Sequence, residues 1–201
     1  MMGILFCRVP FLETRVFLTQ CAEIFAVHGG VVHLNNIYFI GLMGAGKTTI
    51  GRLLAKQLGC DFYDSDVEIE RKTGVNIPLI FELEGEDGFR KRETAAIEEL
   101  TQLKNIVMAT GGGAVLLPEN RVLLKKHGKI IYLRGKVNDL YQRTRHDKTR
   151  PLLQGGNLRQ KLERLYIQRD PIYTSLADYI VDTGAQSAAE ITHTIEQLLT
   201  K

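Results

Sequence analysis

The eight residues Gly41-Leu-Met-Gly-Ala-Gly-Lys-Thr48 constrain this chain more than any other stretch. They satisfy the pattern G-x-x-x-x-G-K-[ST]. They also stand directly between an apolar run, Ile37-Tyr38-Phe39-Ile40, and a helical period that closes at Gly59. A strand that hands the chain to a helix through such a loop aims successive backbone N–H groups at one point on the positive helix end. Phosphate oxygens suit that point. With glycine at about 7% of residues, a chance match in a chain of this size is on the order of one in a hundred. The backbone of Gly44, Ala45, Gly46 and Thr49 is expected to cradle phosphates, with Lys47 reaching the β- and γ-phosphates and the Thr48 hydroxyl ligating Mg²⁺. The bland alternative is a glycine-rich turn at an ordinary strand–helix junction. The context favours a nucleoside triphosphate site.

Apolar strands alternate with helical periods from Asn36 onward. Ile50, Leu53, Leu54 and Leu58 share one helical face, and Gly59 suits a C-cap. A short strand at 60–63 precedes a helix over 67–73, and a second helix is expected over 89–103. Ile106–Ala109 is an apolar strand running into Gly111-Gly112-Gly113. Pro118 opens a helix, 129–133 is a strand, and helices follow over 138–145 and around Leu158, Leu162 and Leu165. Tyr179–Val181 is the last strand, and Ser187-Ala-Ala-Glu190 forms a capping box. Such alternation predicts an α/β fold, a three-layer α/β/α sandwich around a parallel sheet. Ligands in these sheets bind beyond the carboxyl ends of the strands, which gathers 41–48, 64–66 and 111–113 around one crevice. Residues 143–156 lack apolar periodicity and read as a mobile lid.

Composition narrows the function classes. With 201 residues, 44% of them hydrophobic, the chain can bury one sizeable core. The net charge of +3 is too mild to argue for nucleic acid, and no run of 18 apolar residues suggests a membrane span. Cys7, Cys21 and Cys60 are odd in number and lack metal spacing, which points to a reducing, cytoplasmic setting. Residues 1–35 read as an extension of uncertain structure, with 36–201 as a single domain.

Asp64-Ser65-Asp66 follows the second strand. In an extended step both carboxylates would share a face, one supporting hydrated Mg²⁺ and the other accepting a hydroxyl proton. The alternative makes Asp66 a helix N-cap. Arg90 and Glu93 are three apart on a helix, so they form either a surface ion pair of small worth or a pair in which Glu93 orients Arg90 toward a carboxylate. Arg169, in Arg-Asp-Pro-Ile-Tyr173, offers a second guanidinium at a helix end. Arg150 is placed to neutralise charge on a transferring γ-phosphate.

Taken together, six pieces make the chain from about Ile37 to Leu199 resemble a shikimate kinase. They are G-L-M-G-A-G-K-T at 41–48, D-S-D at 64–66, F-R-K-R-E at 89–93, G-G-G at 111–113, R-P-L at 150–152 and R-D-P-I-Y at 169–173. The resemblance implies ATP-dependent phosphorylation of the shikimate 3-hydroxyl, in aromatic amino-acid biosynthesis. It also implies a nucleoside-monophosphate-kinase-like fold with strand order 2-3-1-4-5, a substrate region at about 66–95 and a lid at about 143–156. On the same resemblance, Asp66 holds shikimate hydroxyls and takes the proton. Arg90 and Arg169 grip the carboxylate beside Gly112 and Gly113. Thr48 and Asp64 serve Mg²⁺, Lys47 and Arg150 serve the γ-phosphate, and Arg143 stacks on adenine. Phe81 and Phe89 resemble pocket walls, although core packing explains them equally. The adenine loop departs from the pattern: Gly184-Ala185-Gln186 stands where some members carry arginine, so Gln186 is the expected substitute. The expected partners are ATP and shikimate, with a monomeric enzyme.

The rival enzymes are other small-molecule kinases of this fold, acting on gluconate or nucleotides. A nucleotide-dependent switch would need a base-reading motif such as N-K-x-D, and none occurs.

Overall fold

Three of the five strands are apolar enough to be covered on both faces, and that property organises the molecule. The computed structural model describes residues 35–145, 157–184 and 186–200. The extension over 1–34, Arg150 and the rest of the expected lid from 146 to 156 lie outside the described residues. The strands are β1 (Asn36–Ile40), β2 (Asp61–Asp64), β3 (Ile106–Ala109), β4 (Gly128–Arg134) and β5 (Tyr179–Asp182). Every pairing is parallel, in the order β2-β3-β1-β4-β5. All residues of β1 and β3 are buried, as parallel strands between two helical layers must be.

The helices are α1 (Lys47–Leu58), α2 (Ser65–Thr73), α3 (Ile77–Gln102), α4 (Pro118–His127), α5 (Val137–Thr144), α6 (Leu158–Leu176) and α7 (Ala188–Leu199). α1 packs on α7 and α3 on α4; the right-handed crossovers that are the rule between parallel strands put these two pairs on opposite faces for this strand order. Neighbouring strands β1 and β3 therefore feed helices on opposite faces. The 41–46 and 110–113 loops meet beyond the carboxyl ends of these strands, where ligands of such sheets bind: a Cβ on Gly112 would lie 3.5 Å from Gly41 O.

Local chemistry accounts for the boundaries. Gly59, at φ 66°, closes α1 in the left-handed region. At the start of α7 the Ser187 hydroxyl accepts from Glu190 N at 3.3 Å, and the Glu190 carboxylate accepts from Ser187 N at 2.7 Å. Asn36 seals the far end of the sheet: its amide donates to Leu103 O at 2.6 Å and its carbonyl accepts from Ile106 N at 3.2 Å.

Two helices differ from the sequence expectation. The helix expected over 89–103 begins twelve residues earlier, at Ile77, with Asn76 accepting from Leu79 N at 3.0 Å as its cap. It is two helices joined at Gly85, whose φ of 69° and ψ of −174° leave the helical region. Pro171 does not mark a helix end; it lies inside α6, which runs on to Leu176. Proline there removes the hydrogen bond to the Ile167 carbonyl. Ile167 is 75% exposed, so water can satisfy that group.

Candidate active site

The loop after β1 is built around the start of α1. Gly46 is the N-cap residue, and its φ of 95° is a conformation that glycine adopts at little cost. Lys47 is buried and folds back over the loop, its Nζ donating to Gly41 O at 2.8 Å and Leu42 O at 3.0 Å. A cation held by carbonyls over a ring of N–H groups is well placed to transfer to phosphate oxygens. The Thr48 hydroxyl donates to Asp64 Oδ2 at 2.7 Å. A hydroxyl and a carboxylate side by side next to the phosphate loop are the hard oxygen donors that Mg²⁺ prefers.

The 64–66 segment departs from an extended step. Asp64 keeps a strand conformation and is itself the N-cap of α2, accepting from Asp66 N at 3.1 Å through Oδ1. Ser65 and Asp66 are already helical, which corrects both the shared-face geometry and the alternative in which Asp66 is the cap. Helical rotation therefore separates the two carboxylates by task. Asp64 turns toward Thr48, while Asp66 turns toward Gly111. Ser65, which the sequence reading passed over, accepts from Gly111 N at 2.9 Å and ties α2 to the 110–113 loop.

That loop is where the remaining groups meet. A Cβ placed on Gly111 would lie 2.6 Å from Glu93 Oε1 and 2.7 Å from Asp66 Oδ1, so those oxygens are no farther apart than these two distances laid end to end. A Cβ on Gly113 would lie 2.4 Å from Arg90 Nη2. One on Gly112 would lie 3.7 Å from Arg169 Nη1 and 3.7 Å from Met43 N of the phosphate loop. Glycine at all three positions lets two carboxylates, two guanidinium groups and the phosphate loop approach one short backbone stretch.

The Arg90–Glu93 pair is buried, with Nη1 to Oε2 at 2.6 Å and Glu93 fully enclosed, so the surface ion-pair reading fails. Glu86 accepts a second bond from Arg90 at 2.8 Å. Arg169 is 3% exposed, and its Nε and Nη1 have no hydrogen-bond partner among the described residues. A buried guanidinium in that condition is costly and calls for an anion. Phe81 and Phe89 stack at 4.7 Å within a small apolar cluster including Ile69, Ile80 and Ala96, so core packing accounts for them.

Burial pushes the Glu93 carboxyl up to about 7, against the opposing charge of Arg90 and with Asp66 adding to the rise. Because the folded value lies above the ordinary 4.5, Glu93 contributes stability that is full below about pH 4.5 and is lost as pH rises through about 7. Urea unfolding of the ligand-free protein across that window is expected to show a decline that Glu93→Gln flattens. Equal slopes for the two proteins would contradict this account.

On the nucleotide side, Arg143 leaves α5 and donates to Gly44 O at 3.3 Å, Thr183 O at 2.9 Å and Gly184 O at 3.2 Å. Its guanidinium joins the phosphate loop to the segment after β5. Gln186 is exposed two residues beyond Gly184. Asp66, Arg90 and Arg169 thus approach the 111–113 loop and Arg143 reaches Gly44, whereas Gln186 has only its exposure to place it and Arg150 lies outside the described residues.

The shikimate kinase family model matches residues 43–200. The chain belongs to the shikimate kinase family. It is 63% identical over 161 residues to the shikimate kinase of Thiobacillus denitrificans, covering 80% of this chain and 88% of that one. The structure of the Acinetobacter baumannii shikimate kinase in complex with shikimate superposes with a TM-score of 0.82 at 53% identity, covering 83% of this chain and 93% of the other. A gluconokinase from Sinorhizobium meliloti, at 17% identity and a TM-score of 0.52, shares the fold alone. Membership of the shikimate kinase family carries the activity: transfer of a phosphoryl group from ATP to the 3-hydroxyl of shikimate, a step of aromatic amino-acid biosynthesis. The gluconate, nucleotide and regulatory readings are thereby set aside.

Proposed function

We propose that the crevice between the phosphate loop and Gly111–Gly113 divides the reaction into an ATP half and a shikimate half. The observation that carries this is the placement of Asp66, Arg90 and Arg169 around three glycines, the middle one of which also approaches the phosphate loop. The N–H groups of Gly44, Ala45, Gly46, Lys47, Thr48 and Thr49 receive the phosphates, and Lys47 exchanges its carbonyl partners for γ-phosphate oxygens. Thr48 and Asp64 would hold Mg²⁺, which when bound would neutralise charge on the phosphates. Arg143 and Gln186 face adenine, and Arg150 supplies charge to the γ-phosphate.

On the acceptor side, Arg90 and Arg169, with Gly112 and Gly113 N–H groups beside them, take the shikimate carboxylate. The bound shikimate of the Acinetobacter enzyme fits a site of this chemistry. Asp66 orients the 3-hydroxyl and accepts its proton as the oxygen attacks phosphorus. Positioning and charge stabilisation supply most of the rate in such transfers. Residues 36–201 form the kinase domain, with a substrate region at about 66–95 and a lid at about 143–156. No helix among the described residues is long and apolar enough to cross a membrane. The enzyme acts as a cytoplasmic monomer.

The test is ADP release with ATP and Mg²⁺ while shikimate, gluconate or a nucleoside monophosphate is offered separately, then shikimate with excess EDTA. Stimulation by shikimate alone, abolished by EDTA, is expected. Turnover that survives EDTA would remove Mg²⁺ and the Thr48–Asp64 assignment.

A further inference from the structure

Arg169-Asp-Pro-Ile-Tyr173 contributes an arginine to the acceptor site, and its tyrosine is still without a task. Tyr173 follows Arg169 by one helical turn, so both side chains leave the same face of α6. Tyr173 is fully buried, and its ring packs on Tyr132 with centroids 4.9 Å apart. Tyr132 is held in turn by its hydroxyl, which donates to Asp170 Oδ1 at 2.8 Å. The Tyr173 hydroxyl donates to the carbonyl oxygen of Gly112. Burial pushes that hydroxyl up to about 12, with the charge of Arg169 and a hydrogen bond from its side chain opposing, so it keeps its proton and serves as a donor to Gly112 near neutral pH.

The consequence lies in the geometry of one peptide unit. Across a trans peptide the carbonyl of one residue and the N–H of the next point in opposite directions. Fixing the Gly112 oxygen on Tyr173 therefore turns the Gly113 N–H away from the Tyr173 hydroxyl. Two glycines in succession offer few steric limits of their own, so an outside anchor must select this orientation. The same peptide links the residue that faces Arg169 to the residue that faces Arg90. Its rotation decides whether an N–H joins the two guanidinium groups or a carbonyl oxygen opposes their ligand.

We propose that Tyr173 is a positioning residue for the acceptor, its hydroxyl holding the Gly112–Gly113 peptide in the orientation that receives the shikimate carboxylate. This rests on the assignment of Arg90, Arg169 and Gly113 to that carboxylate. Asp170 and Tyr132 form the support behind the tyrosine ring, which gives the rest of the motif a physical role.

Tyr173→Phe keeps the ring against Tyr132 and removes one oxygen. Steady-state kinetics of the full chain are expected to show the shikimate KM raised about tenfold, as for the loss of a single well-placed hydrogen bond. The ATP KM and kcat should stay within about threefold, and the melt should remain one cooperative transition. Arg169→Ala is measured in parallel. If Arg169→Ala raises the shikimate KM and Tyr173→Phe does not, the role of Tyr173 is overturned and the carboxylate assignment stands. If neither variant moves it, the carboxylate assignment itself falls, and the proposal with it. Equal losses toward shikimate and ATP, or loss of cooperative melting, would mark the hydroxyl as structural and overturn the proposal.

Discussion

Asp66→Asn is expected to lower kcat by roughly 10²–10³-fold, the usual contribution of a positioned general base, while moving the shikimate KM by only a few-fold. The substitution is isosteric, so the Asn76-capped helix, the Gly111–Ser65 bond and the burial of Glu93 should persist. What changes is the ability to take a proton from the 3-hydroxyl as its oxygen attacks. Asp66 sits in the first turn of α2, where the positive helix end favours the ionised carboxylate. Glu93, pushed up to about 7 close by, is poorly suited to replace it as a base of fixed charge. Steady-state rates at saturating ATP, Mg²⁺ and shikimate read the effect. Unchanged turnover would remove Asp66 from proton transfer and leave it a hydroxyl-binding group.

Arg169→Ala is expected to raise the shikimate KM by roughly 10²–10³-fold, because a buried charge-assisted contact to the substrate carboxylate is lost. The ligand-free protein gives the experiment a second reading. Arg169 is 3% exposed and two of its nitrogens lack hydrogen-bond partners among the described residues, so desolvating its charge costs the empty fold much of what its contacts with Glu93 and Tyr173 return. Thermal melts without ligand should therefore fall little or not at all, although the added cavity works against this. The gain in Tm that saturating shikimate confers should disappear. A variant that melts much earlier yet binds shikimate normally would show that Arg169 serves the fold instead.

Much of the architecture was legible in the residues because local and tertiary requirements agree there. The apolar runs at Ile37–Ile40 and Ile106–Ala109 are buried central strands, Gly59 caps α1 with positive φ, and Ser187 and Glu190 close the capping box. Where competing local forces act, the pattern misled. Residues 77–88 carry Pro78, Gly85, Gly88 and acidic side chains, which mask a helix that is held by the Asn76 cap and broken at Gly85. Pro171 reads as a terminator, yet α6 continues through it, and Ile167, whose carbonyl loses its partner, is an exposed residue. Asp64 and Asp66 look equivalent by spacing. Only the change from strand to helix between them assigns one to Thr48 and the other to Gly111.

The phosphate loop, the strand–helix alternation and the types of charge available are properties of short stretches, so the chain by itself determined a parallel-sheet kinase and its candidate acid and base groups. Which groups act together depends on contacts across 46 positions, as between Ser65 and Gly111, or 61, as between Gly112 and Tyr173. Such distances are bridged only when the sheet order brings β1, β2 and β3 side by side and α6 packs behind them. Burial then raises Glu93 and leaves two nitrogens of Arg169 without hydrogen-bond partners among the described residues. The tertiary structure decided these through desolvation and close backbone approach, neither of which is a property of any residue alone.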